Sequence, residues 1–599
     1  MSFGAKEGRS YMTKFPEFPS RGDASTSRGA PTSHLPVARH PLGSKARVLL
    51  SSVFGPYAQD DEFGSRLINP MELWHNQVTR VQGPFSVRMF HRSWGLMLMQ
   101  ANMTAPCTCL DFPSMDRFID ELKTNSYDIV GLSGIVANFG KIQKMCKLVR
   151  EYQPQATLVV GGHITGIPDL ADRIDADHIV RGDGVRWFRR YLGEDEEQSL
   201  KHPVVHAGLG GRVMGFNFPN QKGFGSATLI PSVGCPMGCN FCCTSALFGG
   251  KGNAIHFFES GDDLFQLMCG IERELGVQAF FVMDENFLLN RKRAMRLLDL
   301  MREHDKAWVL YLFSSANALR KYTAEELVAL GLSWLWIGLE GKDSQYNKTS
   351  GVDTHEMVRR LQENGTRVLG STIIGLEEHT PDNIDHAIDH AVSHCTDFHQ
   401  FMLYMPMAGT PLWHEMTAKG AMLSPEEMPE ADMHGQFKFN YRHPAIPAGE
   451  ETDLLLRAFN EDFRINGPSV LRMVRTALHG YQRHKHHPEP RVRRRFKWEV
   501  QGFATVYAGA LWAAKRWFAD NPELVAKLDD LLREIHHEFG WWSRLVTPVL
   551  GHIVLRALKK EQRQLANGHR FEPPTFYESN FEPSADAAFG LRRQRWIAV

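Results

Sequence analysis

The chain has 599 residues, with 68 lysines and arginines against 68 aspartates and glutamates. A formal charge of zero excludes a global attraction to nucleic acid or anionic lipid, and no uncharged apolar stretch is long enough to cross a bilayer, the longest candidate being 545–555. The start of the chain lacks an apolar signal core, and nine cysteines are too few for a disulfide framework. We therefore expect several domains in a cytoplasmic protein.

The first part of the chain alternates strand and helix patterns. Residues 1–45 are rich in Ser, Gly, Pro and Arg without an apolar period, which predicts a disordered tail. A strand pattern at 47–54 and an apolar run at 96–99 come next. Further strand and helix patterns then follow at 115–123, 127–135, 138–152, 157–163, 177–184 and 185–192. This alternation predicts an α/β domain at 46–215, with an N-terminal doubly wound parallel sheet of the Rossmann or flavodoxin type.

Doubly wound sheets bind their ligands at the carboxyl ends of the strands. Here those ends carry small residues, namely Ser133, Gly161, Gly162, Gly182 and Gly184. Glycines let the backbone approach a large flat ligand, although a glycine after a strand is more often only a tight turn. These residues alone do not distinguish a ligand-binding edge from a set of tight turns.

Three cysteines lie on one short loop, with the spacing C-x-x-x-C-x-x-C at Cys235, Cys239 and Cys242. Three thiolates can hold three irons of a [4Fe-4S] cluster and leave the fourth iron open to another ligand. A structural zinc site usually has four ligands on two separate knuckles, and no second C-x-x-C follows. Cys243 is an alternative fourth ligand, but adjacent cysteines rarely reach one metal, so we interpret it as a buried thiol.

After the cysteine loop, a repeated strand–helix unit extends over 225–425. Strand patterns at 279–283, 309–313, 334–340, 368–375 and 399–404 alternate with amphipathic helices, which predicts an open or partial (β/α) barrel. Chemistry in such barrels lies at the carboxyl ends of the strands. Five polar residues fall there, namely Asp284, Glu285, Asn286, Ser315 and Glu340. The alternative for a carboxylate at such a position is to cap the following helix.

The last third of the chain predicts a helical domain at 430–566, with helices at 453–465, 469–481, 500–518, 522–539 and 545–565, and an extended tail at 567–599. A basic cluster at 481–497 is compatible with a phosphate, lipid headgroup or nucleic acid, but we favour a solvated linker. We interpret the tryptophans of this region, Trp512, Trp517, Trp541 and Trp542, as core residues, or as the lining of an apolar substrate channel.

The cysteine loop, together with Phe241 before its last ligand, resembles the cluster loop of the radical S-adenosylmethionine (SAM) enzymes. Four later runs are similar to that family's motifs. They are Asp-Glu-Asn-Phe at 284–287, Gly-Leu-Glu-Gly at 338–341 with glycine in place of the usual serine, 371–376 near the adenine position, and 404–411. The resemblance covers 46 to about 415 and implies a radical SAM barrel with a [4Fe-4S] cluster and SAM.

The upstream sheet resembles the cobalamin-binding domain that precedes the barrel in one large subclass of these enzymes. The likeness is carried by 130–133, by Val-Gly-Gly-His at 160–163, and by Val-Arg-Gly-Asp-Gly at 180–184. Many cobalamin proteins have an Asp-x-His-x-x-Gly motif after the first strand, and the stretch 59–64 has no such histidine. The resemblance therefore implies cobalamin without a lower histidine ligand. The competing interpretation is a sheet of this fold without cobalamin.

The resemblance assigns roles to individual positions. Cys235, Cys239 and Cys242 would bind the cluster, and Glu285 and Glu340 would be catalytic. The SAM- or substrate-binding residues would be Asp284, Asn286, Ser315 and Glu340, with Gly375 near adenine. The cobalamin-binding residues would be Ser133, Gly161, Gly162 and Gly182.

The function implied by the resemblance is that of a cobalamin-dependent radical SAM enzyme, most simply a C-methyltransferase. A 5′-deoxyadenosyl radical would abstract hydrogen from an unactivated carbon, and methylcobalamin would supply the methyl group. The partners would be a small-molecule or lipid-like substrate and a reducing electron donor such as flavodoxin or ferredoxin, without nucleic acid. Two alternatives remain: ring formation, oxidation or rearrangement with the same cofactors, and a non-catalytic metal-binding scaffold.

Overall fold

The computed structural model describes residues 38–55, 63, 68, 72–218, 225–340, 351–580, 592–593 and 595–598. Three predictions lie wholly or mostly outside these residues. They are the tail at 1–45, of which only 38–45 are described, the loop at 59–64 apart from Phe63, and Gly341.

Among its described residues, the N-terminal part has nine strands and five α-helices. The strands are β1 Val48–Ser51, β2 Arg88–His91, β3 Cys107–Asp111, β4 Ile129–Ser133, β5 Thr157–Gly161, β6 His178–Val180, β7 Lys201–Pro203, β8 Gly208–Val213 and β9 Phe216–Phe218. The helices are α1 Trp94–Ala101, α2 Met115–Thr124, α3 Phe139–Tyr152, α4 Leu170–Arg173 and α5 Gly184–Tyr191.

The central part continues the alternation of strands and helices. Its strands are β10 Ser226–Leu229, β11 Ser232–Val233, β12 Ile255–His256, β13 Ala279–Val282, β14 Val309–Ser314, β15 Leu332–Glu340, β16 Arg367–Ile374 and β17 Phe398–Leu403. Its helices are α6 Cys243–Leu247, α7 Gly261–Leu275, α8 Arg291–Glu303, α9 Ala316–Leu319, α10 Ala324–Leu330, α11 Thr354–Glu363, α12 Ile384–Ser393 and α13 Pro411–Ala418.

The last part is mainly helical. Its helices are α14 Glu451–Asn466, α15 Ser469–His484, α16 Pro490–Glu499, α17 Ala508–Trp517, α18 Pro522–Phe539 and α19 Trp541–Ala566. Three short strands follow, β18 Phe576–Ser579, β19 Arg592–Arg593 and β20 Trp596–Ala598.

The first sheet has the parallel order β3-β1-β4-β5-β6. Because β1 lies between the strands that follow it, the chain winds outward in both directions, which is the doubly wound arrangement. Helices cover both faces of the sheet: Phe118 and Ile142 pack on one side, and Leu96 and Phe188 on the other. The predicted fold of this part is confirmed.

The second sheet has the order β10-β13-β14-β15-β16-β17, with every pairing parallel. Its first and last strands do not pair with each other among the described residues, so the barrel is partial, as predicted. Along β15, Leu335 and Ile337 face the helix layer, while Trp334, Trp336 and Gly338 face the inside of the barrel. This alternation gives the barrel an aromatic interior.

Several details differ from the sequence predictions. The apolar run 96–99 lies inside α1, and the neighbouring strand is β3, whose five residues are all buried. A short apolar run does not distinguish a buried strand from a buried helix turn. The predicted tail also differs, because β18 returns to pair antiparallel with β3 and β20 pairs with β7.

The basic cluster at 481–497 is not a solvated linker. It covers the end of α15 and most of α16, and Arg495 is fully buried in an ion pair with Glu499 (3.0 Å). Glu499 also pairs with buried Arg367 of β16. These arginines therefore join the helical part to the barrel.

The tryptophans divide into two groups. Trp512 is buried in the core of the helical part, as interpreted from the sequence. Trp541 and Trp542 are 70% and 57% exposed, so the core interpretation is wrong for these two residues. Within the described part of the chain, no helix is both long enough and apolar enough to span a membrane.

Candidate functional site

The cysteine loop connects β11 to α6 at the carboxyl side of the barrel. It turns at Gly238, whose φ is 66° and where a Cβ atom would lie 2.4 Å from Cβ of Lys251. The hydroxyl of Ser245 donates to the carbonyl oxygen of Cys235 (2.8 Å), and its backbone N–H donates to Sγ of Cys242 (3.5 Å). The start of α6 therefore fixes both ends of the loop.

The three predicted ligands line one small cavity of about 70 Å³, together with Glu285, Asn286 and Ser315. Two thiolates on one zinc ion lie at most about 4.6 Å apart, because each Zn–S bond is about 2.3 Å. Among the described residues, three ligand atoms come within 4.8 Å of one another only in His355, His390 and His394. The three cysteines are thus spaced too widely for one ion, whereas each thiolate of a four-iron cluster binds a different iron.

Glu285 provides the main unsatisfied polar group of this site. Its Oε2 is buried without a hydrogen-bond partner, and the side chain lines both the small cavity and a larger one beside it. Burial raises the pKa of this carboxyl from 4.5 to about 7, partly offset by backbone N–H groups. A buried oxygen without a partner is costly unless a ligand satisfies it.

Asn286 and two serines form a fixed polar wall next to Glu285. Nδ2 of Asn286 donates to the hydroxyl of Ser315 (3.1 Å), and its Oδ1 accepts from the hydroxyl of Ser314 (2.9 Å). The backbone N–H of Ser315 also donates to Oδ1 of Asn286 (3.1 Å). Both Asn286 and Ser315 therefore lie at the site in fixed rotamers.

Asp284 has a different environment from its neighbour. Its carboxylate pairs with the buried guanidinium of Arg293 and accepts from the hydroxyl of Ser232 (2.6 Å). It also accepts from the backbone N–H of Asn286 (3.0 Å). Asp284 lines neither cavity, and its contacts hold the loop that carries Glu285.

Glu340 is buried at the end of β15 and lines the larger cavity. Its φ is 57°, a conformation that costs a non-glycine residue of order 1–3 kcal/mol. The register of β15 with β16 shifts between Gly338 and Glu340, which turns this carboxylate toward the cavity. Strain at a cavity-lining carboxylate supports a functional role for Glu340.

The larger cavity has a volume of about 540 Å³ and lies between the two sheets. The first sheet contributes Ile135, Val136, Ala137 and His163 to its wall, and the cysteine loop contributes Phe241 and Thr244. The barrel contributes Glu285, Trp336, Glu340 and several methionines. Nε2 of His163 lies 3.4 Å from the hydroxyl of Thr244, so the segment after β5 contacts the start of α6 at this point.

The other predicted site residues do not line either cavity. Ser133, Gly161 and Gly162 lie one layer behind it, and Gly182 lies near the carbonyl oxygen of Leu247, where a Cβ would be 3.6 Å away. Gly375 has a φ of 79°, and a Cβ there would be 2.2 Å from Cζ of Phe439. Packing against Phe439 is thus sufficient to require glycine at 375.

Sequence reasoning missed several wall residues. His163 and Phe241 belong to motifs that it quoted, but neither received a role in the cavity. Ile135, Val136 and Ala137 follow β4 directly, so their position after a strand was the available signal. Their apolar side chains gave no chemical reason to select them.

Two family descriptions match the chain. Residues 97–192 match the B12 binding domain, and residues 229–391 match the Radical SAM superfamily.

The chain is similar to two curated proteins over about half its length. It is 23% identical to an uncharacterized methyltransferase of Pyrococcus horikoshii, over 50% of this chain and 71% of that protein. It is 24% identical to the bacteriochlorophyllide d C-8(2)-methyltransferase of Chlorobaculum tepidum, over 55% of this chain and 77% of that protein.

One solved structure aligns with most of the chain. It is the radical S-adenosylmethionine methyltransferase TsrM from Kitasatospora setae with cobalamin and [4Fe-4S] cluster bound. The alignment covers 76% of this chain and 99% of TsrM, with 13% identity and a TM-score of 0.48.

Proposed function

We propose that this chain, a radical SAM enzyme with a B12-binding domain ahead of its radical SAM domain, transfers a methyl group from SAM to a carbon of a small-molecule substrate. Its cofactors are a [4Fe-4S] cluster, SAM and cobalamin. The observation that carries the proposal is the 540 Å³ cavity, which is bounded by the first sheet, the cysteine loop and the carboxyl ends of the barrel strands.

The residues of the small cavity fit a cluster with SAM at its open iron. When bound, the cluster supplies the electron that cleaves SAM, and cobalamin supplies the methyl group. Cys235, Cys239 and Cys242 would hold the cluster. Oε2 of Glu285 is the acceptor without a partner, and we assign it to the amino group of SAM. The fixed pair Asn286 and Ser315 would position the polar end of the same ligand.

The edge of the first sheet fits a large flat ligand above the barrel. Apolar residues 135–137 and the glycine turn before His163 present backbone and small side chains, with no charged group among them. Burial lowers the pKa of His163, so its ring is neutral near pH 7. We propose that cobalamin lies along this edge, with Ser133, Gly161, Gly162 and Gly182 shaping the turns behind it.

The cavity wall supports reaction at an unactivated carbon. Four methionines contribute to it, Met402, Met405, Met407 and Met433, beside apolar residues of the first sheet. The wall also carries ionisable side chains, so the support comes from the apolar surroundings that exclude water and not from a lack of titratable groups. These side chains are Glu285, Glu340, His163, His434, Tyr404 and Cys243. In the proposed reaction a methyl group replaces one substrate hydrogen. One SAM becomes S-adenosylhomocysteine, a second becomes 5′-deoxyadenosine and methionine, and the reductant supplies two electrons.

The names of the two curated relatives also support methyl transfer, because both are methyltransferases. An external one-electron donor, such as flavodoxin or ferredoxin, is proposed as the physiological reductant.

The experiment uses the full chain reconstituted without oxygen with iron, sulfide and hydroxocobalamin. It is incubated with deuteromethyl SAM, titanium(III) citrate and an organic extract of the source cells. We expect S-adenosylhomocysteine, 5′-deoxyadenosine and an extract component in which one deuterated methyl group replaces hydrogen.

The products separate the alternatives. Formation of 5′-deoxyadenosine without corrin-dependent S-adenosylhomocysteine would contradict methyl transfer and favour ring formation, oxidation or rearrangement. The absence of both products from a protein with a full complement of cofactors would favour the non-catalytic scaffold.

A further inference from the structure

A third cavity, larger than the two described above, lies inside the barrel on the side away from the cysteine loop. Its volume is about 800 Å³, within the range of ligand pockets. It is enclosed by β2 and β8, by β13 to β15, and by α15 and α17. Representative wall residues are Tyr311, Trp334, Phe398, Met473, Ala510 and Val554. We call this cavity the rear chamber.

Several polar side chains in the wall of the rear chamber are paired with protein groups. Arg88 forms an ion pair with Glu72 (3.0 Å). Nε1 of Trp74 donates to Nε2 of His91 (2.9 Å), so Nδ1 of His91 is the protonated nitrogen and donates to the carbonyl oxygen of Ala207 (3.3 Å). These groups are satisfied within the protein, which leaves a mainly apolar surface for a ligand.

Only one layer of side chains separates the rear chamber from the 540 Å³ cavity between the two sheets. Phe313 and Trp336 belong to the walls of both, and their rings stack at 5.0 Å. Nε1 of Trp336 donates to the hydroxyl of Ser371 (2.8 Å), which in turn donates to Oε1 of Gln400 (2.7 Å). The indole ring therefore has a fixed position between an apolar cavity and the reaction site.

We propose that the rear chamber binds the apolar body of a lipid-class substrate, and that its reacting end enters the 540 Å³ cavity when the Phe313 ring, which is held by ring contacts rather than hydrogen bonds, turns aside from Trp336. This inference rests on the proposed function and adds the substrate class to it. Each methylene removed from water contributes about 0.8 kcal/mol, which is about a fourfold gain in affinity. Long uncharged chains should therefore bind much more tightly than short ones.

The test measures binding rather than turnover. Tritiated farnesol and geraniol, uncharged isoprenoid alcohols that differ by one five-carbon unit, are equilibrated with the cofactor-loaded full chain and separated by dialysis. We expect saturable binding of farnesol at least tenfold tighter than that of geraniol. The half-buried Met473 is replaced in two variants. Met473→Trp puts an indole ring into the chamber beside the bound chain and should weaken farnesol binding at least tenfold, while Met473→Leu should leave it unchanged.

A second variant guards against misfolding of Met473→Trp. Val506, at the mouth of the chamber, is 54% exposed, so Val506→Trp should fold and still narrow the entrance. Unsaturable farnesol binding, or equal affinity in both tryptophan variants and the parent, would overturn the inference. If methyl transfer fails while farnesol binding follows this pattern, the proposed function fails and the apolar site remains.

A separate observation concerns the outer surface of α19. Its first four turns expose five large apolar side chains: Trp541 (70%), Trp542 (57%), Leu545 (60%), Val549 (65%) and Ile553 (51%). At 100° per residue these positions share one face of the helix. The later turns expose basic residues on the same side, namely Arg556, Lys559, Lys560 and Arg563. We call this surface the α19 face.

The exposed charges of α19 are all positive. Its single acidic residue, Glu561, is buried in an ion pair with Arg212, so it does not neutralise the exposed lysines and arginines. The exposed side of α19 thus carries two tryptophans and other apolar residues in its first turns and basic residues in its later turns, a combination suited to an anionic lipid–water interface. Val554, the residue after exposed Ile553, lines the rear chamber. Val554 is buried, so α19 contributes one side to the rear chamber and presents the α19 face on its other side.

We infer that the α19 face docks on an anionic lipid bilayer. The test is flotation of the full chain with vesicles of phosphatidylcholine alone or with three parts in ten phosphatidylglycerol. We expect binding at least tenfold tighter to the anionic vesicles and weaker at high salt. Trp541→Ser with Trp542→Ser, both exposed and outside the proposed site, should reduce binding at least tenfold.

A matched pair of charge variants completes the test. Lys559→Glu with Lys560→Glu should remove the preference for anionic vesicles, while Lys497→Glu, on α16, should not. No binding to anionic vesicles would overturn the inference. A concentration-dependent dimer without lipid, lost in the tryptophan variant, would instead assign the α19 face to a second copy of the chain.

Discussion

Replacing Glu285 with glutamine should change how the stability of the cofactor-free protein depends on pH. Burial raises the pKa of Glu285 from 4.5 to about 7. A carboxyl group whose pKa is raised on folding binds its proton more tightly in the folded state. The folded protein therefore loses stability as the pH rises from 4.5 through 7, because the buried group must ionise.

The magnitude follows from the same values. One pKa unit is worth about 1.4 kcal/mol, so moving the pKa from 4.5 to about 7 costs about 3 kcal/mol at pH 8.5. Glutamine does not ionise and avoids this cost. With an m-value of about 3 kcal/mol/M, the parent should lose about 1 M in its urea midpoint relative to Glu285→Gln between pH 5 and pH 8.5.

The assay follows the fluorescence of the barrel tryptophans during anaerobic urea unfolding of the apoprotein. Glu259→Gln, at an exposed position of the same domain, is the matched control and should follow the parent at both pH values. If Glu285→Gln and the parent show the same pH dependence, the Glu285 carboxyl is not buried with a raised pKa and an unsatisfied oxygen. Its assignment to SAM would then lose its physical basis.

Three further perturbations have expected outcomes. Cys239→Ala should lose most of the about four irons per reconstituted chain by absorbance and iron assay, while Cys269→Ala should retain them. Glu499→Gln should lower the free energy of unfolding by about 3–5 kcal/mol in the same urea assay, because it leaves the buried Arg367 and Arg495 without a counter-charge. The matched control is Glu356→Gln, in an exposed ion pair, which should cost under about 1 kcal/mol. Deleting 567–599 uncovers the edge strand β3, so size-exclusion chromatography should show aggregation; an unchanged monomer peak would contradict this role of β18.

The predictable part of the protein depends on local patterns. The cysteine spacing and the order of strands and helices are encoded over short stretches, so both sheets and their sequence along the chain were available without the structure. The polar residues at the ends of the barrel strands were also identifiable, because parallel strands place such residues at one edge.

The parts that were not predicted depend on distant contacts. β18 pairs with β3, which lies more than 460 residues earlier, and the sequence around Phe576 does not predict this pairing. Asp284 and Glu285 look equivalent in sequence. In the structure, Asp284 forms an ion pair with Arg293, whereas Oε2 of Glu285 has no hydrogen-bond partner.

The basic cluster shows the same limit. From the sequence, Arg495 is expected to be a surface charge. In the structure it is buried in an ion pair with Glu499, which also pairs with Arg367 of β16. The rear chamber is likewise assembled from strands and helices that are far apart in sequence, so no single segment predicts it.

The most direct test of the central claim is a count of cofactors in the full chain after anaerobic reconstitution with iron, sulfide and hydroxocobalamin. The account predicts about four irons and one tightly held corrin per chain, with 5′-deoxyadenosine formed when SAM and reductant are added. A chain that binds the cluster but no corrin would contradict the assignment of methyl transfer through the first sheet. A chain that binds neither would contradict the account as a whole.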